Sequence, residues 1–123
     1  MRQILLVDDD DLFGEVTQKS LARMGYAVVY ARNGKEALQL YNPETIDLVV
    51  TDLIMPDKEG LELITELHRT HPEVKIIAMS GGGRNNPEVF LKAAKRFGAM
   101  KILAKPFPRE ALEQAVLECL EKP

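Results

Sequence analysis

Residues 1–16 read MRQILLVDDDDLFGEV. An apolar run, Ile4 to Val7, passes directly into four consecutive carboxylates, Asp8 to Asp11, and then into a segment of helical period. Two unit charges ~4 Å apart interact by ~4 kcal/mol even at an effective dielectric near 20. That is large against a whole-domain stability of ~5–15 kcal/mol. Either the carboxylates splay into water or something positive sits among them.

Outward from this stretch the same alternation repeats. Short apolar segments at Ile4–Val7, Ala27–Ala31, Leu48–Thr51, Ile76–Met79 and Ile102–Ala104 are expected to be strands. Most are near-continuous runs of Val, Ile and Leu, as in strands covered on both faces of a parallel sheet. Between them the period changes to that of a helix. Phe13, Val16, Thr17, Ser20, Leu21 and Met24 mark a first helical face with Gly25 as its stop; Ala37, Leu38 and Tyr41 mark a second. Gly60, Leu63, Ile64 and Leu67 mark a third face, ended before Pro72. Phe90, Ala93, Ala94 and Phe97 mark a fourth, running from Pro87 to Gly98, and Leu112, Ala115, Val116, Cys119 and Leu120 a fifth. The resulting (βα)5 order predicts an α/β fold, a doubly wound parallel sheet with helices on both faces.

The 123 residues, 46% hydrophobic and 28% charged, suit a single globular domain over 1–123. No apolar run approaches the ~20 residues of a membrane helix, so no membrane insertion is expected. No secretory signal is visible, and Cys119 is the only cysteine, so a cytoplasmic setting is the default expectation. The net charge of −3 argues against a nucleic-acid partner. The charge is uneven, however: Arg84, Lys92, Lys95, Arg96, Lys101, Lys105 and Arg109 face a single acid, Glu88, in the stretch they span. Such a stretch is either a solvated face or a docking surface for an acidic partner.

In doubly wound folds, ligands collect beyond the carboxyl ends of the strands, where strand order reverses. Those ends carry Asp8 and Asp9, then Asp52 in VVTDLIMPDKEG, Ser80 in IIAMSGGG and Lys105 in KILAKPF. Asp10 and Asp11 fall where the first helix starts, a place that favours Asp. Asp8 and Asp9 come too early to cap and crowd Asp52, which is expensive unless a hard cation is shared. Mg²⁺ suits such oxygen ligands. Lys105 at a buried strand end needs a carboxylate partner, and Pro106 restrains the backbone beside it, with a cis bond as one way to aim the amine.

Together, LLVDDDD, VVTDLIMPDKEG, IIAMSGGG and GAMKILAKPF resemble the receiver (CheY-like) domain of two-component response regulators over essentially the whole chain. The resemblance implies a flavodoxin/CheY-like sheet of order 2-1-3-4-5 and a phosphoacceptor, Asp52, that attacks the phosphohistidine of a sensor histidine kinase or phosphotransfer protein. It implies Mg²⁺, or Mn²⁺ in its place, held by Asp9, Asp52 and the Ile54 carbonyl, with Asp8 acting through water. Lys105 and Ser80 would contact the phosphoryl group, and the backbone N–H groups of Ile54 and Gly81 would complete its cradle. A surface of the fourth helix, fifth strand and fifth helix would then change for a downstream protein target or output domain.

Two departures from the family pattern bear on the switch. Ile102 stands where many receivers carry Tyr or Phe, so an aromatic flip is excluded as readout. The stretch SGGGRNNPEV is longer than usual, and ordering of Gly81–Asn86, including Gly82 and Gly83, is expected to take over that role. The competing readings are a phosphorylation-independent docking receiver and a haloacid-dehalogenase-like phosphohydrolase. The first sits badly with a complete set of five signature residues. The second leaves Asp52 and Lys105-Pro106 unexplained. A flavin mononucleotide site is disfavoured by the acidic loop after the first strand, and a phosphate-binding loop by the lack of Gly-Lys-Ser/Thr.

Overall fold

The structure, a computed structural model, describes residues 2–53, 60–80 and 87–121, apart from the side chains of 87–91. Strands β1 (Gln3–Val7), β2 (Ala27–Ala31), β3 (Leu48–Asp52), β4 (Ile76–Ser80) and β5 (Lys101–Ala104) alternate with helices. The helices are α1 (Asp11–Arg23), α2 (Gly34–Leu40), α3 (Gly60–Thr70), α4 (Pro87–Phe97) and α5 (Arg109–Glu121). The strands form one parallel sheet in the order β2-β1-β3-β4-β5, as expected. Strands β3 and β4 each run one residue further than the apolar pattern suggested, so Asp52 and Ser80 are the last residues of their strands.

The period-2 alternation of the strands divides the core in two. Leu5, Val7, Val49, Ile76 and Ala78 pack against Ala37 of α2, Leu63, Ile64 and Leu67 of α3 and Ala94 of α4. Ile4, Leu6, Leu48, Val50, Ile77 and Met79 face Leu21 of α1 and Leu112, Ala115, Val116, Cys119 and Leu120 of α5. The three inner strands are almost wholly buried, whereas the edge strands β2 and β5 are half-buried. Gly25 (φ 96) and Gly98 (φ 131) take left-handed conformations just past α1 and α4, the stops their positions predicted.

Two residues of the predicted helical faces point the other way. Val16 is 58% exposed and Phe97 50% exposed, because the side of α1 that meets the sheet runs through Gly14, Thr17 and Leu21, and α4 buries Ala94. Leu21→Ala should therefore cost about 2–5 kcal/mol in urea unfolding, while Val16→Ala should stay within about 0.5 kcal/mol of wild type.

Candidate functional site

The chain leaves β1 for one side of the sheet (β2) and β3 for the other (β4 and β5), so the strand order reverses between β1 and β3. Asp8 and Asp9 follow β1, and Asp52 ends β3 beside it. Ser80 ends β4, and its register partner is Ala104, the residue before Lys105. A single sheet edge thus carries all five strand-end residues that the sequence singled out.

Asp8 is fixed from four directions. Its N–H donates to Ala31 O at 3.1 Å, and its carbonyl accepts from the Tyr30 hydroxyl at 2.7 Å. Its Oδ1 accepts from Asp10 N at 3.0 Å, and its Oδ2 from Lys105 Nζ at 2.9 Å. Its side chain is completely buried, which an ionised carboxylate tolerates only with such partners. Asp52 is held similarly: Leu53 N donates to Oδ1 at 2.8 Å and Lys105 Nζ to Oδ2 at 3.3 Å. Lys105 lies 13% exposed between the two, and its peptide bond to Pro106 is cis.

The remaining carboxylates of the opening run separate cleanly. Asp10 is the N-cap of α1 and accepts from Phe13 N at 3.1 Å. Asp11, in the first turn, pairs with Arg32 at 2.9 Å. Asp9 is exposed, yet one oxygen from each of Asp8, Asp9 and Asp52 falls within 4.8 Å of the others. Three clustered carboxylate oxygens suit a hard, oxygen-seeking divalent cation.

Burial pushes the Asp52 carboxyl up to about 6; the Lys105 ammonium pulls it down, and the Asp8 charge adds to the rise. Burial draws Lys105 down, but its hydrogen bond to Asp8 and the charges of Asp52 and Asp8 outweigh this, so its net direction is up. Ser80 is fully buried and its Oγ has no hydrogen-bond partner among the described residues. The loop positions Ile54, Gly81, Gly82 and Gly83, with the rest of 81–86, lie outside the described residues. Ile102 pairs with Ala78 in the sheet and packs, half-buried, on the α2–α4 side of the core.

The structure adds three contributors that sequence reasoning passed over. Phe13 places its ring 4.2 Å from Lys105 Nζ and meets Phe107 edge-on at 5.5 Å. Tyr30 reaches Asp8 across α1, where a Cβ on Gly14 would collide with the phenol. A mid-helix glycine costs ~0.5–1 kcal/mol relative to Ala, so Gly14 was a readable sign of a close approach.

The site is thus a lysine-bridged acid pocket at the switch point of a doubly wound α/β sheet. A family model, the response regulator receiver domain, matches residues 4–117, and the chain belongs to that family. The transcriptional regulatory protein GlrR of Escherichia coli K12 is 35% identical over 119 residues, covering 97% of this chain and 26% of that protein. The sensor kinase CckA of Brucella abortus is 37% identical over 121 residues, 97% of this chain and 12% of that one. The chain thus spans about a quarter or less of these relatives' lengths. The receiver domain of NtrX from Brucella abortus superposes with a TM-score of 0.90 at 28% identity, covering 98% of this chain and 99% of that one. A receiver domain protein from Clostridium thermocellum gives the same TM-score at 26% identity, over 98% and 94%. Domains of this family are signalling switches of two-component systems, and among the described residues no helix is long and apolar enough to cross a membrane.

The raised Asp52 pKa has a sign that unfolding can read. The folded chain holds this proton from the ordinary value, 3.8, up to about 6, so its contribution to stability is complete below 3.8 and lost as pH rises through 6. With EDTA present, wild type should lose urea stability between those values. Asp52→Asn should remove that part of the slope and be about 1–3 kcal/mol more stable at pH 7.

Proposed function

We propose that this chain is a phosphoacceptor switch in which Asp52 receives a phosphoryl group from the phosphohistidine of a sensor histidine kinase or phosphotransfer protein. The observation that carries this reading is the Lys105 ammonium shared by Asp8 and Asp52 at 2.9 and 3.3 Å on the carboxyl edge of the sheet. Structural ion pairs can lie anywhere, but here the pair sits where the strand order reverses and beside a third carboxylate.

In the reaction an Asp52 oxygen attacks phosphorus and an acyl phosphate bond forms. The P–N bond breaks, and the departing imidazole keeps its electron pair and takes up a proton from solvent. Asp52 is ionised at neutral pH despite its raised pKa, so a lone pair is available. Lys105 exchanges a carboxylate oxygen for a phosphoryl oxygen and offsets the added charge. The Ser80 hydroxyl, buried and without a partner among the described residues, gains its acceptor there. Ile54 and Gly81 would supply backbone N–H donors.

Asp9, Asp52 and the Ile54 carbonyl would hold Mg²⁺, with Asp8 acting through water. Mn²⁺ would serve in its place. When bound, the cation neutralises charge on the transferring oxygens. The single receiver domain would span 1–123. In the output, inward movement of Ser80 and Lys105 biases the surface of α4, β5 and α5 toward a downstream protein or an attached output domain. Of the basic residues counted there, Lys101 pairs with Glu118 and Arg109 with Glu113, while Lys105 is drawn into the site. Lys92, Lys95 and Arg96 are exposed on α4 and offer the positive part of that surface.

Intact mass after incubation with acetyl phosphate tests the reading. One phosphoryl adduct per chain should form with Mg²⁺, none in EDTA and none in Asp52→Asn. Lys105→Gln should slow its formation by about 10²-fold. No adduct on the wild-type chain under any condition would leave a phosphorylation-independent docking receiver as the better account.

A further inference from the structure

The position of the Lys105 amine is set by more than its two carboxylates. Its third neighbour is the face of the Phe13 ring, 4.2 Å from Nζ to the centroid. The backbone that carries that ring is fixed at both its polar groups. Phe13 N donates to Asp10 Oδ1 at 3.1 Å, and Phe13 O accepts from Thr17 Oγ1 at 2.9 Å. The ring's outer side meets Phe107 in an edge contact at 5.5 Å and 82°. Phe107 stands two residues beyond Lys105, so the segment that carries the amine also braces the ring the amine rests on.

We propose that Phe13 is a positioning residue for Lys105: its ring face keeps the ammonium at the acid pocket while the amine changes acceptors during phosphoryl transfer. The inference rests on the assignment of Asp52 as phosphoacceptor. A lysine amine is a compact point charge on a flexible four-carbon stem. When the amine leaves a carboxylate oxygen for a phosphoryl oxygen, each directional bond must break and form again. The attraction of a ring face for a cation depends weakly on direction and persists through such a shift. An aliphatic side chain of similar volume would fill the space without attracting the charge. The ring also screens one side of the amine from water, which strengthens its hold on whichever anion it faces.

A double-mutant cycle on the rate of acetyl phosphate labelling separates this role from packing. With saturating Mg²⁺, intact mass over time would be followed for wild type, Phe13→Leu, Phe13→Tyr, Lys105→Gln and Phe13→Leu/Lys105→Gln. Phe13→Leu should slow labelling by about fivefold to tenfold, Phe13→Tyr should stay within about twofold of wild type, and Phe13→Leu should add almost nothing to Lys105→Gln. An equal loss in both backgrounds would show that Phe13 only packs and would overturn the proposal, as would no loss in either. The Lys105 Hε proton shifts in metal-free protein give a second reading without any phosphoryl group. They should be displaced upfield in wild type and return in Phe13→Leu; shifts that do not differ also overturn it. If wild type takes up no phosphoryl group, the assignment of Asp52 fails first, whereas normal labelling with an additive cycle removes only the role of Phe13.

Discussion

One ammonium between two buried carboxylates is the constraint on which the carboxyl edge of this sheet depends. Asp8 is wholly buried and Asp52 nearly so, and two such charges facing each other without a cation would repel by several kcal/mol. Lys105 reaches both from the far side of the sheet. Neighbouring strands lie ~4.8 Å apart, which puts β1 and β5 ~14 Å apart, further than a lysine stem extends. The segments after β1 and β5 must therefore fold back over the edge to meet. The ion pair consequently ties the ends of β1, β3 and β5 together, and it does so above β4, where Ser80 sits.

The same ammonium closes a circuit through the first turn of α1. Asp8 Oδ1 accepts from Asp10 N, Asp10 Oδ1 accepts from Phe13 N, the Phe13 ring faces Lys105 Nζ, and Lys105 donates to Asp8 Oδ2. Each link is individually worth no more than about 0.5–3 kcal/mol. Linked in a closed ring they fix one another, because moving any member disturbs two neighbours. This resolves the opening run of carboxylates. Asp8 faces the lysine, Asp10 caps the helix, Asp11 meets Arg32, and Asp9 is left exposed beside the pocket.

The sequence pattern disclosed the fold almost completely because two buried faces force two simple periods. Continuous apolar runs marked the inner strands, and helical spacing marked the helices down to the glycines at which α1 and α4 stop. It disclosed the polar members of the site for a different reason: a carboxylate, hydroxyl or amine directly after a buried strand has no role in a core. Phe13, Phe107 and Tyr30 could not be found that way, since an aromatic residue at helical or strand spacing is indistinguishable from ordinary core. Their roles arise from contacts between β2, α1 and the segment after β5, and periodicity carries no information about which elements meet. Val16 failed for a related reason. Apolar spacing gives the period of a helix but not its rotation, and Gly14 together with Thr17 turned α1 toward Tyr30 and the sheet.

Two unmet needs remain at the edge once the fold is formed. Burial holds the Asp52 carboxyl at about 6, so at neutrality its charge is kept at a cost that Lys105 offsets only in part. Next to it in the sheet, the Ser80 hydroxyl is buried without an acceptor among the described residues. Better packing can relieve neither, since one is a surplus of negative charge in low dielectric and the other a missing oxygen. On the proposed function, a divalent cation would answer the first, and an added phosphoryl oxygen would answer the second. Each ligand would then favour whichever arrangement of these strand ends lets it bind, which is the differential interaction a two-state switch requires. A sequence optimised for stability alone would have removed both costs with a neutral side chain at 52 and an apolar one at 80. Their presence on adjacent strand ends is what the proposed phosphoacceptor role accounts for and folding alone does not.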